Sequence, residues 1–419
     1  MEICIFEDLY VERLEPLSYS RPVFDLICGI NSLRAKILRA YSGINYSLHC
    51  RQYLEHFVKQ KNPGRNVNKV ESDKCLFING RTLAPLNMKE LISIEDGEDK
   101  VYVNNHSIVA ARLSGKNLEK VKQSLTDLLS MADFDGVKVE NTEIKCIDYI
   151  WDLITNNSEQ FKIDFDYLMT NKKEKILGKV YDGAHLVEKE RIFIDEGAVI
   201  KPGAVLDASE GPIYIDKEAI VFANAVVENS VYLGEKSQIK SCARIYDNVS
   251  IGKVCKIGGE VEDSIIHPYT NKQHSGFLGH AYLGSWVNIG ADTNCSDLKN
   301  NYGTVKIYVN GEVVDSGVQF LGLIMGDHTK TAINTMFNTG TIVGFSCNIF
   351  GAGFPPKYIP SFSWGGSEAL TSYEISRSIE TAKRAMARRN YVMSEHEEKL
   401  FKKIFDITAK ERRKRGYPY

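Results

Sequence analysis

The chain has 419 residues, of which 43% are apolar and 25% charged, and its formal net charge is −2. That length argues for two or three domains rather than one core. The even charge gives no reason to expect nucleic acid or an anionic membrane as the main partner, and no segment has the length of an apolar membrane span.

The start, MEICIFEDLY, lacks the basic region and long apolar stretch of a signal peptide and reads as an immediate first strand over Ile3–Phe6. Further strands are expected at Cys75–Ile78 and Val101–Val103, with helices at roughly Asn31–Tyr41, Asn117–Ser130 and Ile147–Ile154. Residues 1–165 therefore read as a short mixed α/β domain. The polar stretch from Asn156 to Lys175 reads as connector, and the linker is set at 166–185. Nine cysteines are scattered along the chain without any CxxC, which fits reduced thiols in a cytoplasm rather than disulfides or structural zinc.

From about Ile176 a period of six takes over. Ile194, Ile200 and Leu206 open the series; Ile215, Val221, Val227, Leu233, Ile239, Ile245, Ile251 and Ile257 continue it after a three-residue slip. Neither a helix nor a lone strand produces a six. One short strand plus one tight turn per side does, and three sides close a triangular coil: a hexapeptide-repeat, left-handed parallel β-helix over 186–360. Interruptions are expected at Asp263–His274 and Thr293–Gly317. The second contains KIYVNGEVVD, where Asn310-Gly311 between alternating apolar residues predicts a hairpin. The register returns at Met325, Thr331, Phe337, Val343 and Ile349. Residues 367–419 read as two amphipathic helices, one on Ile375, Ile379, Ala382 and Met386, the other on Leu400, Ile404 and Ile407. This tail carries 13 Lys+Arg against 8 Asp+Glu. Its basic residues Lys383, Arg384, Arg388 and Arg389 either form a solvated face or hold a phosphorylated ligand.

An interior filled with aliphatic side chains leaves chemistry to the outside, where the repeat breaks. The segment IIHPYTNKQHSGFLGHAYLGSWVNIGADTNCSDLKNNYG holds His267, His274 and His280 in a chain with nine histidines. A histidine near neutral pH can take a proton from an attacking amine and return it. Three histidines around Zn²⁺ are an alternative, but nothing in the spacing makes them converge, and no metal ligand is assigned.

These residues resemble the acetyltransferase half of the bifunctional N-acetylglucosamine-1-phosphate uridyltransferase / glucosamine-1-phosphate acetyltransferase family, and the whole chain looks like a divergent bacterial branch described as sugar nucleotidyltransferases. His274-Ser-Gly-Phe277-Leu-Gly is similar to the family's catalytic-base motif, Asn288-Ile-Gly-Ala291-Asp-Thr to its NIGAGT, and Asn301-Tyr302 to its sugar-contacting pair. The resemblance implies His274 as general base, Phe277, Asn288, Asn301 and Tyr302 at the sugar, Arg244 at its phosphate and Ala291 at the acetyl-CoA co-substrate. The family's lysine one coil before the base falls on Glu262, so Lys272 is the substitute cation. In the first domain, Glu12-Arg13-Leu-Glu-Pro-Leu-Ser18-Tyr-Ser-Arg21-Pro is similar to the family's nucleotide loop without its glycines. Nucleotide contacts would fall on Arg13, Ser18, Arg21, Asn79 and Gly80. The family's acidic Mg²⁺ ligand meets Arg81, and arginine cannot coordinate a metal.

The resemblance implies a transferase that acts on a sugar phosphate or nucleotide sugar and assembles as a homotrimer. Within it, acyl transfer beside a degenerate nucleotidyltransferase domain is the leading reading. An active nucleotidyltransferase and a non-catalytic sugar-nucleotide-binding protein are the alternatives.

Overall fold

The computed structural model describes residues 1–95 and 97–417. Its chain divides into two compact units. The first comprises Met1–Ile27, Asn31–Asp152 and Ser394–Lys403; the second comprises Cys28–Ile30, Leu153–Met393 and Ile404–Tyr419.

The first unit is built on a six-stranded mixed sheet. Across it run Tyr46–Leu48, Glu2–Phe6, Lys74–Asn79, Ser107–Ser114, Lys100–Asn104 and Lys138–Asn141. The first three are mutually parallel, and Ser107–Ser114 runs antiparallel to both of its neighbours. Its core joins Phe6, Phe77 and Phe134 to Leu118 and Val121 of the helix Gly115–Ser124. Ser107–Ser114 has no expected counterpart: seven of its eight residues are buried, so period-two alternation is absent.

The second unit is a parallel β-solenoid of the left-handed β-helix type. One face stacks Ile194, Ile215, Leu233, Ile251, Ile266, Leu283, Met325, Val343 and Ile359 in register. The second stacks Val180, Ile200, Val221, Ile239 and Ile257. The third stacks Leu186, Leu206, Val227, Ile245, Val261 and Leu278. These side chains form one continuous buried core, with the half-buried Val180 and Leu186 packed against its end. The hairpin Lys306–Val309/Glu312–Asp315 turns at Asn310 (φ 48°) and Gly311 (φ 89°), the left-handed pair that a two-residue turn requires.

Three expectations need correction. The coil does not lapse at Asp263–His274, since Ile265–Ile266 and Asn271–Lys272 pair on both sides. The irregularity is a shortened corner at Gly258-Gly259, which brings Val261 inward four residues after Ile257. Second, the stretch read as connector contains the helix Asn157–Met169, and Lys179–Val180 and His185–Val187 already pair with the next coil. That helix sets Phe161 and Phe165 against the outward aromatics Phe193 and Tyr214, and its Asn157 accepts from Gly29 N (2.7 Å) and donates to Asn248 O (2.6 Å). Third, in the tail helix Glu395–Ile407, Leu400, Phe401 and Ile404 are buried whereas Ile407 is exposed.

Because Ile245 is fully buried in the stack, Ile245→Ala should cost about 2–5 kcal/mol in urea unfolding. The neighbouring outward Arg244→Ala should stay within about 0.5 kcal/mol. Val254 turns a corner at φ 60°, where a β-branched residue is strained. Val254→Asn should therefore raise the melting temperature.

Candidate functional site

The shortened corner creates a local electrostatic need. Lys272 occupies an inward position, in register with Ile257, and is 1% exposed. Its Nζ donates to the carbonyls of Gly258 (2.9 Å) and His274 (3.0 Å). The expected role of Lys272 as a phosphate partner is thereby corrected, because its ammonium is spent on carbonyls that the corner turns inward. Lys330 likewise donates to two carbonyls, Trp286 O (3.1 Å) and His328 O (2.6 Å), but from the outward column of its face, in register with Asn288 and Asn348.

His274 itself is exposed at the corner above. That corner sits on the next one: Asp292 N donates to Ser275 O (3.0 Å), and Phe277 N donates to Asn294 Oδ1 (2.9 Å). Gly276 must lack a side chain, because a Cβ there would lie 2.1 Å from Thr293 O. His274 and Ala291 are thus on stacked corners, and Asn288, exposed, bridges Asn271 and Lys330 on the adjoining face. Arg244 is on the outer third face, paired with the exposed side of Glu260, which itself registers with Phe277. Asn301 and Tyr302 lie in the inserted loop, where Asn301 Oδ1 accepts from Gly303 N (3.1 Å) and Tyr302 is 69% exposed. Among the described residues no hydrogen bond ties that pair to His274, Phe277 or Asn288. His267 is buried and bonds the Tyr282 hydroxyl at 2.8 Å.

One constellation has no counterpart in the sequence reading. His280 Nδ1 lies 2.8 Å from Asp297 Oδ2, its Nε2 lies 3.6 Å from Asp263 Oδ2, and Phe320 stacks on the ring at 5.0 Å. Burial pulls the imidazole down, but Asp297, Asp263 and Glu262 together hold it above its ordinary value. Burial and then the Asp297 charge push the Glu262 carboxyl up, and burial raises Asp263. The available signal is spacing: Asp297 follows His280 by 17 residues, about one coil, which returns a residue to the same side of the prism.

In the first unit the loop after the first strand is closed rather than open. Asp8 caps a 3₁₀ turn over Leu9–Leu14 by accepting from Tyr10 N. Arg51 donates to Glu7 through Nε and Nη2 (both 3.1 Å) and to the carbonyls of Ser18 (2.7 Å) and Arg21 (3.0 Å), while Val23 N donates to Glu7 Oε1 (2.8 Å). Ser18 is buried and donates to Val11 O. Asn79 is buried and donates to Asp8 and to Ile108 O, and a Cβ on Gly80 would meet Phe24 at 2.9 Å. Ser18, Asn79 and Gly80 therefore pack the interior instead of lining a nucleotide site. Arg13 stacks on Tyr10 and Tyr149, and Arg21 is half-buried.

Magnesium does not fit here. The fully buried Arg81 guanidinium donates to Asp8 Oδ1 (2.9 Å), Asp8 Oδ2 (2.6 Å) and Asp148 Oδ1 (2.9 Å), so a cation already fills the space between the two carboxylates.

Residues 3–173 match the family profile described as sugar nucleotidyl transferase. That segment is similar to sugar nucleotidyl transferases and makes up less than half of the chain. It is 24% identical over 327 residues to the bifunctional protein GlmU of Bartonella quintana, a match covering 73% of this chain and 66% of that protein. It is 26% identical over 242 residues to a bifunctional sugar-1-phosphate nucleotidylyltransferase/acetyltransferase of Sulfurisphaera tokodaii, covering 56% and 53%. The chain thus spans between half and two thirds of the length of these relatives. Among solved structures, UDP-N-acetylglucosamine acyltransferase from Campylobacter jejuni matches 54% of this chain and 93% of its own, at 13% identity and a TM-score of 0.21.

Burial lowers Lys272 to about 8. Between there and the unfolded value of about 10.4, the unfolded chain holds a proton that the native chain has lost, so stability contributed by this group rises with pH. Lys272→Met should abolish that contribution. The wild-type-minus-variant unfolding free energy should grow by about 2–3 kcal/mol from pH 8 to 10.5, as read by urea titrations at the two pH values. Parallel pH profiles would mean that the amine stays charged inside.

Proposed function

We propose that the chain is a cytoplasmic, homotrimeric acyltransferase that moves the acetyl group of acetyl-CoA onto a sugar phosphate or nucleotide sugar in nucleotide-sugar or cell-envelope biosynthesis. Its first domain would be a nucleotidyltransferase relic. The carrying observation is the contrast between two sites. His274 is exposed on a corner stacked against Ala291-Asp292, whereas the nucleotide loop is internally bonded and Arg81 fills the metal position. The Sulfurisphaera tokodaii relative, named for a nucleotidylyltransferase and an acetyltransferase, supports the same division.

On this reading His274 accepts the proton of the sugar amine or hydroxyl as that atom attacks the thioester carbonyl. The tetrahedral intermediate then collapses, the C–S bond breaks, and the coenzyme thiolate leaves with the proton returned by the imidazolium. Phe277, Asn288, Asn301 and Tyr302 would orient the acceptor, and the corner backbone at Ala291 would meet the coenzyme. Arg244 would exchange Glu260 for the acceptor's phosphate, a charge-assisted contact. Domains are proposed at 1–165, 186–360 and 367–419, with the helix Asn157–Met169 tying the first boundary to the solenoid.

Thiol release from acetyl-CoA should be measured against a panel of sugar 1-phosphates and UDP- or dTDP-amino sugars. His274→Ala should lower kcat by about 10²–10⁴-fold with the assembly's mass by light scattering unchanged. Undiminished turnover in that variant removes His274 from the mechanism. Pyrophosphorolysis of a nucleotide sugar by the wild type would restore the first domain as an active transferase.

A further inference from the structure

The His280 constellation raises a question of charge. Glu262, His280 and Asp297 each offer one ligand atom, and the three atoms lie within 4.8 Å of one another. Glu262 and Asp297 approach carboxyl to carboxyl within 4.8 Å. Two carboxylates meeting in a partly buried site need a proton or a cation between them.

The local backbone is shaped to permit this approach. A Cβ at Gly279 would stand 2.3 Å from Asp297 Oδ2, so the missing side chain is what lets that carboxylate fold back beside the imidazole. Asp297 is 7% exposed and His280 lies under the Phe320 ring, so the group is partly shielded from water. The second ring nitrogen of His280 faces Asp263. A metal-bound histidine characteristically gives its other N–H to a carboxylate, which fixes the tautomer that ligates.

We propose that Glu262, His280 and Asp297 form a divalent-metal site, taking a first-row ion such as Zn²⁺ or Mn²⁺ through one imidazole nitrogen and two carboxylate oxygens, with Asp263 orienting His280. The donor set suits such ions, whose bonds to nitrogen and oxygen are about 2.0–2.2 Å. Closing the three donors onto one ion requires the His280–Asp297 pair, now 2.8 Å apart, to open slightly while Glu262 draws in from within 4.8 Å. The ion would join three levels of the molecule: Glu262 on one coil, His280 at the corner after the next, and Asp297 at the root of the inserted hairpin loop. Its role is to anchor that insertion, and it is separate from the acyl-transfer reading of His274.

The test uses the full chain, stripped with a chelator and titrated with ZnCl₂ or MnCl₂ by calorimetry, with melting curves alongside. One saturable site per chain is expected, together with a melting temperature that rises with metal concentration. Asp297→Asn and the more conservative Glu262→Gln should each weaken binding about tenfold or more, with apo-state circular dichroism reporting whether they fold. His274→Ala should bind metal like the wild type. Absence of saturable binding in the wild type would overturn the proposal, as would unchanged affinity in a folded Glu262→Gln or loss of the ion in His274→Ala.

Discussion

Every coil of the solenoid turns three side chains into a closed interior that its neighbours seal above and below. An inward position must therefore be apolar or bring its own hydrogen-bond partners, because no water reaches it to supply them. The stacks of Ile, Leu and Val meet the first condition. Lys272 meets the second, presenting its ammonium to two carbonyls. Thr331, which interrupts the aliphatic pattern, is buried; its hydroxyl accepts from Gly290 N at 2.9 Å and meets the Thr293 hydroxyl at 3.2 Å. At Lys272 the polar exception coincides with the shortened corner at Gly258-Gly259, whose Gly258 carbonyl accepts from it.

The same accounting governs the first unit. A buried guanidinium between two carboxylates is tolerable because all of its polar directions are used: Asp8, Asp148, Ser107 and the Ile147 carbonyl receive it. Removing one member of such a pair strands the other in a medium that solvates charge poorly. Glu7 and Arg51 form a second buried ion pair on the neighbouring loop, and together the two pairs hold that turn closed. The turn after the first strand and Arg81 after the strand Lys74–Asn79 thus form one self-satisfied unit.

Much of this was legible in the residues. Period six reports the prism directly, since each side advances by one strand and one corner, and Asn310-Gly311 reports its hairpin because only left-handed backbone joins two strands so tightly. Other features defeat pattern reading for physical reasons. Ser107–Ser114 is covered on both faces and so loses its alternation. The helix Asn157–Met169 buries Asn157 and Asp164, which serve the backbone at Gly29 and Ile30, so its inner face looks polar. Lys272 looks like a free cation because a sequence does not reveal that a four-residue corner has rotated it inward. His280 gains its meaning only from Asp263 and Asp297, brought to it by coil stacking.

The aromatic ladder under the helix Asn157–Met169 has a geometric consequence. Phe193 and Tyr214 are outward on one flat side of the prism, yet they are 0% and 8% exposed because Phe161 and Phe165 cover them. Over those first coils that side is already taken by the chain itself. Any lateral stacking of prisms there has only two flanks to use, so a ring of copies can close in fewer ways than the threefold outline of the coil suggests.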